Sequence, residues 1–464
     1  MGYEEFLGGV KSSVNAFKRL EKNPIRIISH LDSDGLASCS ILIRAFERED
    51  YPFSISIVRQ LDASVLEELS REDYKIYFFT DLGSGCLSLI QEKLPKRSIF
   101  VLDHHKPEEF KPSFFHVNPL LYGVDGDWEV SGAGITYLFA KALNENNKDM
   151  AHIAIVGAIG DIQEKKGFIG LNSYILEDAV DSGKMEVKQG LSMFGMQTRP
   201  LHKVLEFSTD PYIPGVTGNE AGAVQFLQEL GIEIHDKHGY KKLIHLDEKD
   251  MKKLVTGIIL KRLGSEKNPD DVLGPIFILR EEAEGSPTKD AKEFSTLLNA
   301  CGRLNKPSYG VGACLGSKNI REKAVNLMGD YKGEIIKSLN WFYANRKTES
   351  VIEKEGYAII NAEDHVPERL IGTLASIISR TNIYPAHTIL MSMAHTVDGN
   401  TKVSMRMVGF DSKIDLRNIV NAIVKHTGGQ AGGHRLACGC LVQQEKELEF
   451  IKIADEVLSK HFSK

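Results

Sequence analysis

The sequence contains six cysteines and no CxxC pair among Cys39, Cys86, Cys301, Cys314, Cys438 and Cys440. A disulfide framework is therefore not expected, and the cysteines read as small buried hydrophobes. No apolar run approaches the length of a membrane span, and the opening MGYEEFLGGVKSS carries no apolar signal region. A cytoplasmic protein with no membrane partner is expected on that basis. There is no excess of positive charge either: Lys+Arg number 57 against Asp+Glu 63, a net charge of −6. A chain of that balance does not coat nucleic acid by bulk charge, although a local basic groove is compatible with it. Fixed-period repeats and low-complexity tracts are absent. The run GGQAGG (428–433) lacks the Gly-Lys-Ser/Thr that would make it a Walker A loop.

What remains is ordinary globular composition, 42% hydrophobic and 26% charged, in 464 residues. That length calls for two or three domains. Residues 25–29 (IRIIS), 54–58, 76–80 (IYFFT) and 98–102 (SIFVL) are short β-rich runs, and 36–46 reads as a helix. Strands alternating with helices predict an α/β domain with a parallel sheet covered on both faces, over residues 1–190. Helices are expected over 131–144 and 152–159. A middle region, 191–318, carries Pro200, Pro211 and Pro214, helices at 221–230 and 248–263, and a loop at 281–290 (EEAEGSPTKD). A connecting helix fills 319–350. A smaller α/β domain occupies 351–464, with strands at 357–361, 388–394 and 402–407 and a helix at 369–380.

Four acidic or histidine clusters stand out. His30-Leu31-Asp32-Ser33-Asp34-Gly35 follows the first strand, Asp81-Leu82-Gly83 follows IYFFT, Asp103-His104-His105 follows SIFVL, and Gly160-Asp161 ends the helix at 152–159. Three of the four lie at the carboxyl ends of expected parallel strands, where open α/β sheets place their ligand crevice. Carboxylates and imidazoles without thiolates suit two hard-to-borderline divalent cations. Two such ions about 3.5–4 Å apart can stabilise both the attacking and the leaving oxygen of a phosphoryl displacement. A pair of this kind needs a bridging carboxylate, and Asp81, alone in its cluster and central in sequence, is the candidate. Asp-Ser-Asp-Gly is not an EF-hand, because Leu36 and Ile43 stand where ligands are required.

HLDSDG, DLG, DHH and GD, in that order, resemble the four motifs of the DHH phosphoesterases. The resemblance implies His30, Asp32 and Asp81 on one metal and Asp34, Asp81, His104 and Asp161 on the other. Asp103 is implied as the group orienting a ligand imidazole, and His105 as facing the scissile phosphate. Val117-Asn118-Pro119 and Ser131-Gly132-Ala133-Gly134 resemble family features between the third and fourth motifs. In the C-terminal block the run from Gly372 to Arg380, Val403-Ser404-Met405-Arg406 and Gly432-Gly433-His434 resemble the DHH-associated domain. That likeness implies substrate contacts from Arg380, Ser404, Arg406, Gly432, Gly433 and His434; GGQAGG taken alone also reads as a flexible turn, but beside His434 and Arg435 a nucleic-acid backbone contact is the favoured reading.

The long middle region and FSTLLNACGR (294–303) resemble archaeal RecJ-like proteins, the GINS-associated nuclease among them. The function this implies is a single-strand-specific exonuclease, 5′–3′ on single-stranded DNA with RNA as a second substrate. Its cofactors would be two divalent cations, Mn²⁺ ahead of Mg²⁺, and its partner GINS at the replicative helicase. Three alternatives remain; one is a dual role, an active nuclease that also docks on GINS, and the other two come from the same family. One is a small-substrate phosphodiesterase: a nanoRNase, a nucleoside bisphosphate phosphatase or a cyclic-dinucleotide phosphodiesterase. The other is a nuclease-like structural subunit of the replicative helicase, a kind of relative that loses metal ligands.

Overall fold

The computed structural model describes residues 2–462 except 166, 209–210, 238, 267, 382 and 410–413, and gives the backbone alone for Gln430 and His434. The described chain divides into two compact units, Met1–Leu327 and Met328–Lys464.

The first unit begins with α1 (Gly2–Lys18), β1 (Ile25–His30), α2 (Ser33–Arg48), β2 (Phe53–Val58), α3 (Ala63–Ser70) and β3 (Ile76–Thr80). It continues through α4 (Leu87–Lys93), β4 (Ser98–Leu102), β5 (Phe115–Val117) and α5 (Gly132–Leu143). The five strands form one parallel sheet in the order β2-β1-β3-β4-β5. All five residues of β3 are buried, because both faces of a parallel sheet are covered. Alternate side chains supply the two cores. Phe78 of β3 stacks on Phe100 of β4 at 4.7 Å and meets Phe17, Phe46 and Phe139 from α1, α2 and α5. Tyr77 and Phe79 point the other way, among Leu66, Leu69, Leu87 and Ile90 of α3 and α4. The core of this sheet therefore rests on aromatic stacking, and α1 contributes a central ring although the sequence reading assigned it no element.

From there the chain runs through α6 (Ala151–Gly160), α7 (Gly170–Asp181) and β6 (Met185–Leu191). Next come α8 (Leu201–Glu206), α9 (Glu220–Glu229), β7 (His235–Asp236), β8 (Gly239–Tyr240), α10 (Glu248–Arg262) and β9 (Leu273–Leu279). β6 and β9 pair antiparallel along their whole length, so the intervening segment leaves and re-enters at one place. That segment has its own apolar core, which includes Leu201, Leu205, Phe226, Leu227, Leu254 and Ile258. α11 (Ala291–Arg303) then packs against α2 and α6, and α12 (Pro307–Cys314) against α2 and α11. The division between the units falls within α13 (Lys318–Asn345).

The second unit is built on β10 (Val351–Lys354), β11 (Tyr357–Asn361), α14 (Glu368–Ile378), β12 (Ile389–His395) and β13 (Asn400–Met407). It is completed by α15 (Leu416–Thr427), β14 (Gln430–His434), β15 (Ala437–Gln443) and α16 (Glu447–Phe462). The sheet order is β10-β11-β12-β13-β15-β14. Odd-numbered residues of β12 and β13, Met391 and Met405 among them, join Leu416, Ile423, Phe450 and Leu458 of α15 and α16 in one core. The even-numbered positions face α14, where the Ser392 hydroxyl donates to Ile371 O and Arg406 Nε to Ser376 Oγ. The flexible-turn reading of GGQAGG is corrected here: only Gly428 and Gly429 turn the chain, and Gln430–His434 is an edge strand. The architecture is mixed α/β, with a parallel sheet, a largely helical middle region and a second sheet domain, as the sequence leads one to expect.

Close helix packing in the first unit depends on Gly157 in α6. A Cβ there would stand 2.6 Å from both the Ala133 methyl and Asp34 Oδ1. Gly157→Ala should lower stability by roughly 1–3 kcal/mol through overpacking. Gly333→Ala, in open space on α13, should instead raise it by up to about 1 kcal/mol through helix propensity. Urea midpoints of the two variants check the pair; equal shifts would contradict the packing argument.

Candidate metal centre

The carboxyl end of the first sheet gathers the four sequence clusters. β1 ends at His30, and Asp32 caps α2 by accepting from Gly35 N at 3.0 Å through Oδ1. Its other oxygen lies 3.0 Å from His30 Nδ1. The expected start of this helix at residue 36 is too late: Asp32 caps it, so Ser33, Asp34 and Gly35 form its first turn. Their polar side chains hide the turn from a periodicity argument, because here polar groups are buried. Gly35 is required by its surroundings, since a Cβ would come within 2.3 Å of His30 O. The bend is tied down by Ser29 Oγ donating to Gly35 O at 2.7 Å and by Thr80 Oγ1 donating to Ser29 Oγ at 2.7 Å.

Asp81 follows β3 in the left-handed region, at φ 57°. Asp tolerates this conformation better than most residues. The bend turns its carboxylate back among the other clusters. His30 Nδ1 is 3.4 Å from Asp81 Oδ2, and His104 Nε2 is 3.3 Å from Asp81 Oδ1. His104 Nε2 is also 3.2 Å from Asp161 Oδ2 and 3.8 Å from Asp34 Oδ2. Asp34 accepts from Gly132 N at 2.7 Å and Ala133 N at 3.0 Å, the first amides of α5. A helix N-terminus thus faces a buried carboxylate with its partial positive charge. Ligand atoms of His30, Asp32 and Asp81 converge within 4.8 Å of one another, and so do those of Asp34, His104 and Asp161. A third such group, Asp81, Asp103, His104 and His105, shares members with both.

Beside this cluster, Asp103 Oδ1 accepts from His105 Nδ1 at 2.7 Å and Oδ2 accepts from Ser84 N at 2.8 Å. Asn118 ties the arrangement together, donating to Ser84 Oγ at 2.9 Å and to His105 O at 2.8 Å. Ser84 also meets His116 Nε2 at 2.9 Å. Neither Ser84 nor His116 stood out in the sequence, because each gains meaning only through residues on other strands. Asn299 of α11, within the stretch FSTLLNACGR, accepts from Ser33 N at 3.1 Å through its Oδ1. Gly302 lets α11 come so close that a Cβ would stand 1.7 Å from Leu31 O.

Divalent cations fit this donor set. Both oxygens of Asp81 and Nδ1 of His30 are buried without a hydrogen-bond partner. Such atoms cost free energy unless something satisfies them. Cations would do so, with Asp81 placed to serve two. The titration behaviour points the same way. Burial works against a charged His30, yet Asp32 and Asp81 hold its pKa well above the usual value. For His104, burial is likewise outweighed by Asp161 and Asp81. Burial opposes the Asp103 charge, but His105 keeps its carboxyl ionised far below the ordinary range. Burial and the charges of Asp81 and Asp161 push Asp34 upward, against the two amides of α5. Protons on imidazoles thus supply positive charge that cations would otherwise bring.

The substrate-contact candidates lie in the second unit. Pairing aligns Ser404 with Gly439 and Gly432 in one row of the sheet, and Arg406 with Ala437 and His434 in the next. Ser404, Arg406 and Gly432 therefore share the face on which α14 lies. Gly433 pairs with Cys438 on the opposite face, at φ 122°. Arg380 is exposed in the turn after α14. The side chain of His434 lies outside the described residues.

The chain matches the DHH family, N-terminal domain, over residues 24–160, the DHH-CID domain over 193–272 and the DHHA1 domain over 355–460. Its three matched segments are thus DHH, DHH-CID and DHHA1 domains. In fold it is RecJ-like: RecJ from Thermus thermophilus, solved in complex with Mn²⁺, superposes with a TM-score of 0.60 at 15% identity. That alignment covers 97% of this chain but 55% of the RecJ chain, so this chain spans just over half its length. CDC45 from Entamoeba histolytica superposes with a TM-score of 0.63 at 13% identity, covering 99% of both chains. An uncharacterized protein of Methanocaldococcus jannaschii is 28% identical over 452 residues, 94% of this chain and 93% of its own length. Among the described residues no helix is long and apolar enough to cross a membrane.

Two outcomes follow for the metal centre. If Asp81 serves two cations, Asp81→Ala should lower binding of both together, read by elemental analysis after dialysis against Mn²⁺; two tightly bound ions in that variant would refute a bridging role. The second concerns pH. His30 and His104 have folded pKa values raised above 6.5, so their contribution to stability is complete below that pH and is lost as pH rises through the folded values. In EDTA the melting temperature should fall as pH rises above about 6.5. Mn²⁺ should restore more stability at pH 9 than at pH 6.

Proposed function

We propose that this chain is a two-cation phosphodiesterase that degrades single-stranded nucleic acid from an end, 5′–3′ on DNA, with RNA as a second substrate. The observation that carries the reading is Asp81, a buried carboxylate with neither oxygen hydrogen-bonded, set between His30 and Asp32 on one side and His104 and Asp161 on the other. His30, Asp32 and Asp81 would hold one cation, and Asp34, Asp81, His104 and Asp161 the second. Two such ions supply Lewis acidity on phosphate oxygens and ready deprotonation of water near neutral pH. Imidazole ligands favour Mn²⁺ over Mg²⁺. The side chains of His30 and Asp32 are 28% and 30% exposed whereas those of Asp34 and Asp81 are at most 1%, so substrate would approach from the first pair.

His105 lies beside this floor. Burial opposes its charge, but Asp103 raises its pKa above 6.5. With Nδ1 committed to Asp103, the ring would donate through Nε2 to a phosphate oxygen and stabilise charge that grows in the transition state. Arg406, Ser404, Gly432, Gly433, His434 and Arg380 would hold the strand by its phosphates, which carry no sequence information. GINS is the proposed partner and the cytoplasm the proposed compartment. The likeness in fold to CDC45 supports a second reading, a nuclease-like structural subunit; a complete ligand set favours the catalytic one.

With Mn²⁺, a linear single-stranded 30-mer should be degraded from its 5′ end, while the blunt duplex and a circular single strand survive. EDTA should abolish cleavage, and rising salt should weaken it. Cleavage of the circle would reject end-dependence. Turnover of a dinucleotide alone would select a small-substrate enzyme, and no turnover of any substrate the structural subunit.

A further inference from the structure

His104 is held from behind by two amide side chains outside the four clusters. The ring's Nδ1 lies 2.7 Å from the carbonyl of Gly126. A carbonyl only accepts, so Nδ1 must carry hydrogen when the ring faces it. The same carbonyl accepts a second bond, from Gln163 Nε2 at 2.9 Å. Gln163 is in turn fixed by Asn172, whose Nδ2 donates to Gln163 Oε1 at 2.6 Å. That bond orients the Gln163 amide, leaving its Nε2 toward Gly126. Gln163 and Asn172 are both fully buried. The peptide at Gly126 could not sit there with a side chain, since a Cβ would stand 2.4 Å from His104 O.

We infer that Gln163 and Asn172 are positioning residues for His104, acting through the Gly126 carbonyl to fix which ring nitrogen carries hydrogen and which faces Asp34, Asp81 and Asp161. With a proton held on Nδ1, it is Nε2 that gives up its proton when a cation arrives, and its lone pair then faces the place among the three carboxylates where that cation would sit. A ring free to rotate or exchange tautomers would present that lone pair only part of the time. Groups that orient a ligating imidazole commonly change cation affinity when lost, by about 10–100-fold. The two amides reach one cation position only. His30 and Asp32 lie on the other side of Asp81, and neither bonds to the relay.

The inference rests on the two-cation reading, and its test separates the two. Gln163→Met keeps the shape and removes the donor; Asn172→Leu removes the bond that orients Gln163 without adding a charge. Mn²⁺ titrations of the full chain by calorimetry should show two ions bound to the wild type. In each variant one affinity should fall by about 10–100-fold while the other holds. The cation-free melting temperature should fall in each variant, because a buried amide partner is left unpaired, but a general packing defect would weaken binding of both ions rather than one. Wild-type affinities at both sites in both variants overturn the inference and leave the two-cation reading standing; a wild type that binds no Mn²⁺ overturns both. Should the variants fail to fold, ¹⁵N NMR of the Zn²⁺-loaded wild type decides. His104 with its proton on Nδ1 supports the relay, and the proton on Nε2 overturns it.

Discussion

Mutual repulsion among buried carboxylates is the constraint that shapes the first unit. Asp34, Asp81 and Asp161 all lie within 4 Å of one imidazole nitrogen, in a place with little water to screen them. An ionised cluster of this kind unfolds a protein unless positive charge is brought to it. The surrounding elements supply it in fixed amounts. The first amides of α5 face Asp34, protonated imidazoles face Asp81 and Asp161, and Asp103 takes His105 and the amide of Ser84. Glycines at 35, 132 and 157 let backbone and helices come near enough for these partial charges to matter. The demand that remains is the one two cations would meet.

The sequence discloses the parts of this arrangement that sit at strand ends. IYFFT and SIFVL are buried on both faces, so they read as strands, and the polar residues after them read as a break with a purpose. HLDSDG, DLG and DHH were visible for that reason, and their convergence followed from the geometry of a parallel sheet. Aromatic residues in α1 gave no such signal, since a short amphipathic helix can pack almost anywhere. Gln163 and Asn172 were invisible for a different reason. An amide has no charge and no preferred spacing, and its partners lie far away in sequence. In the second unit, glycine content suggested a turn at 428–433, but the neighbouring strand β15 offers hydrogen bonds that a glycine-rich segment can take up as an edge strand. Tertiary pairing overrode local preference there.

The middle region is closed in a manner that gives it structural weight beyond its own core. β6 and β9 close it at its base, and the helix that follows β9 lies directly on the loop that carries His30 and Asp32. α11 contributes Asn299 to the cap of Ser33 and Gly302 to the contact with Leu31. Changes in the middle region that shift β9 can therefore reach the loop of His30 and Asp32 along a short, packed route, without passing through the sheet.

That contact also orders events during synthesis. Domains form largely from the N-terminus as the chain leaves the ribosome, and the five-stranded sheet is complete in sequence by residue 117. The loop at its first strand, however, waits for residues 299 and 302. Translation at about 5–20 residues per second puts many seconds between the two. A nascent chain passes that interval with the loop of His30 and Asp32 lacking its contacts from α11, so this loop is completed late even though its residues are among the first made.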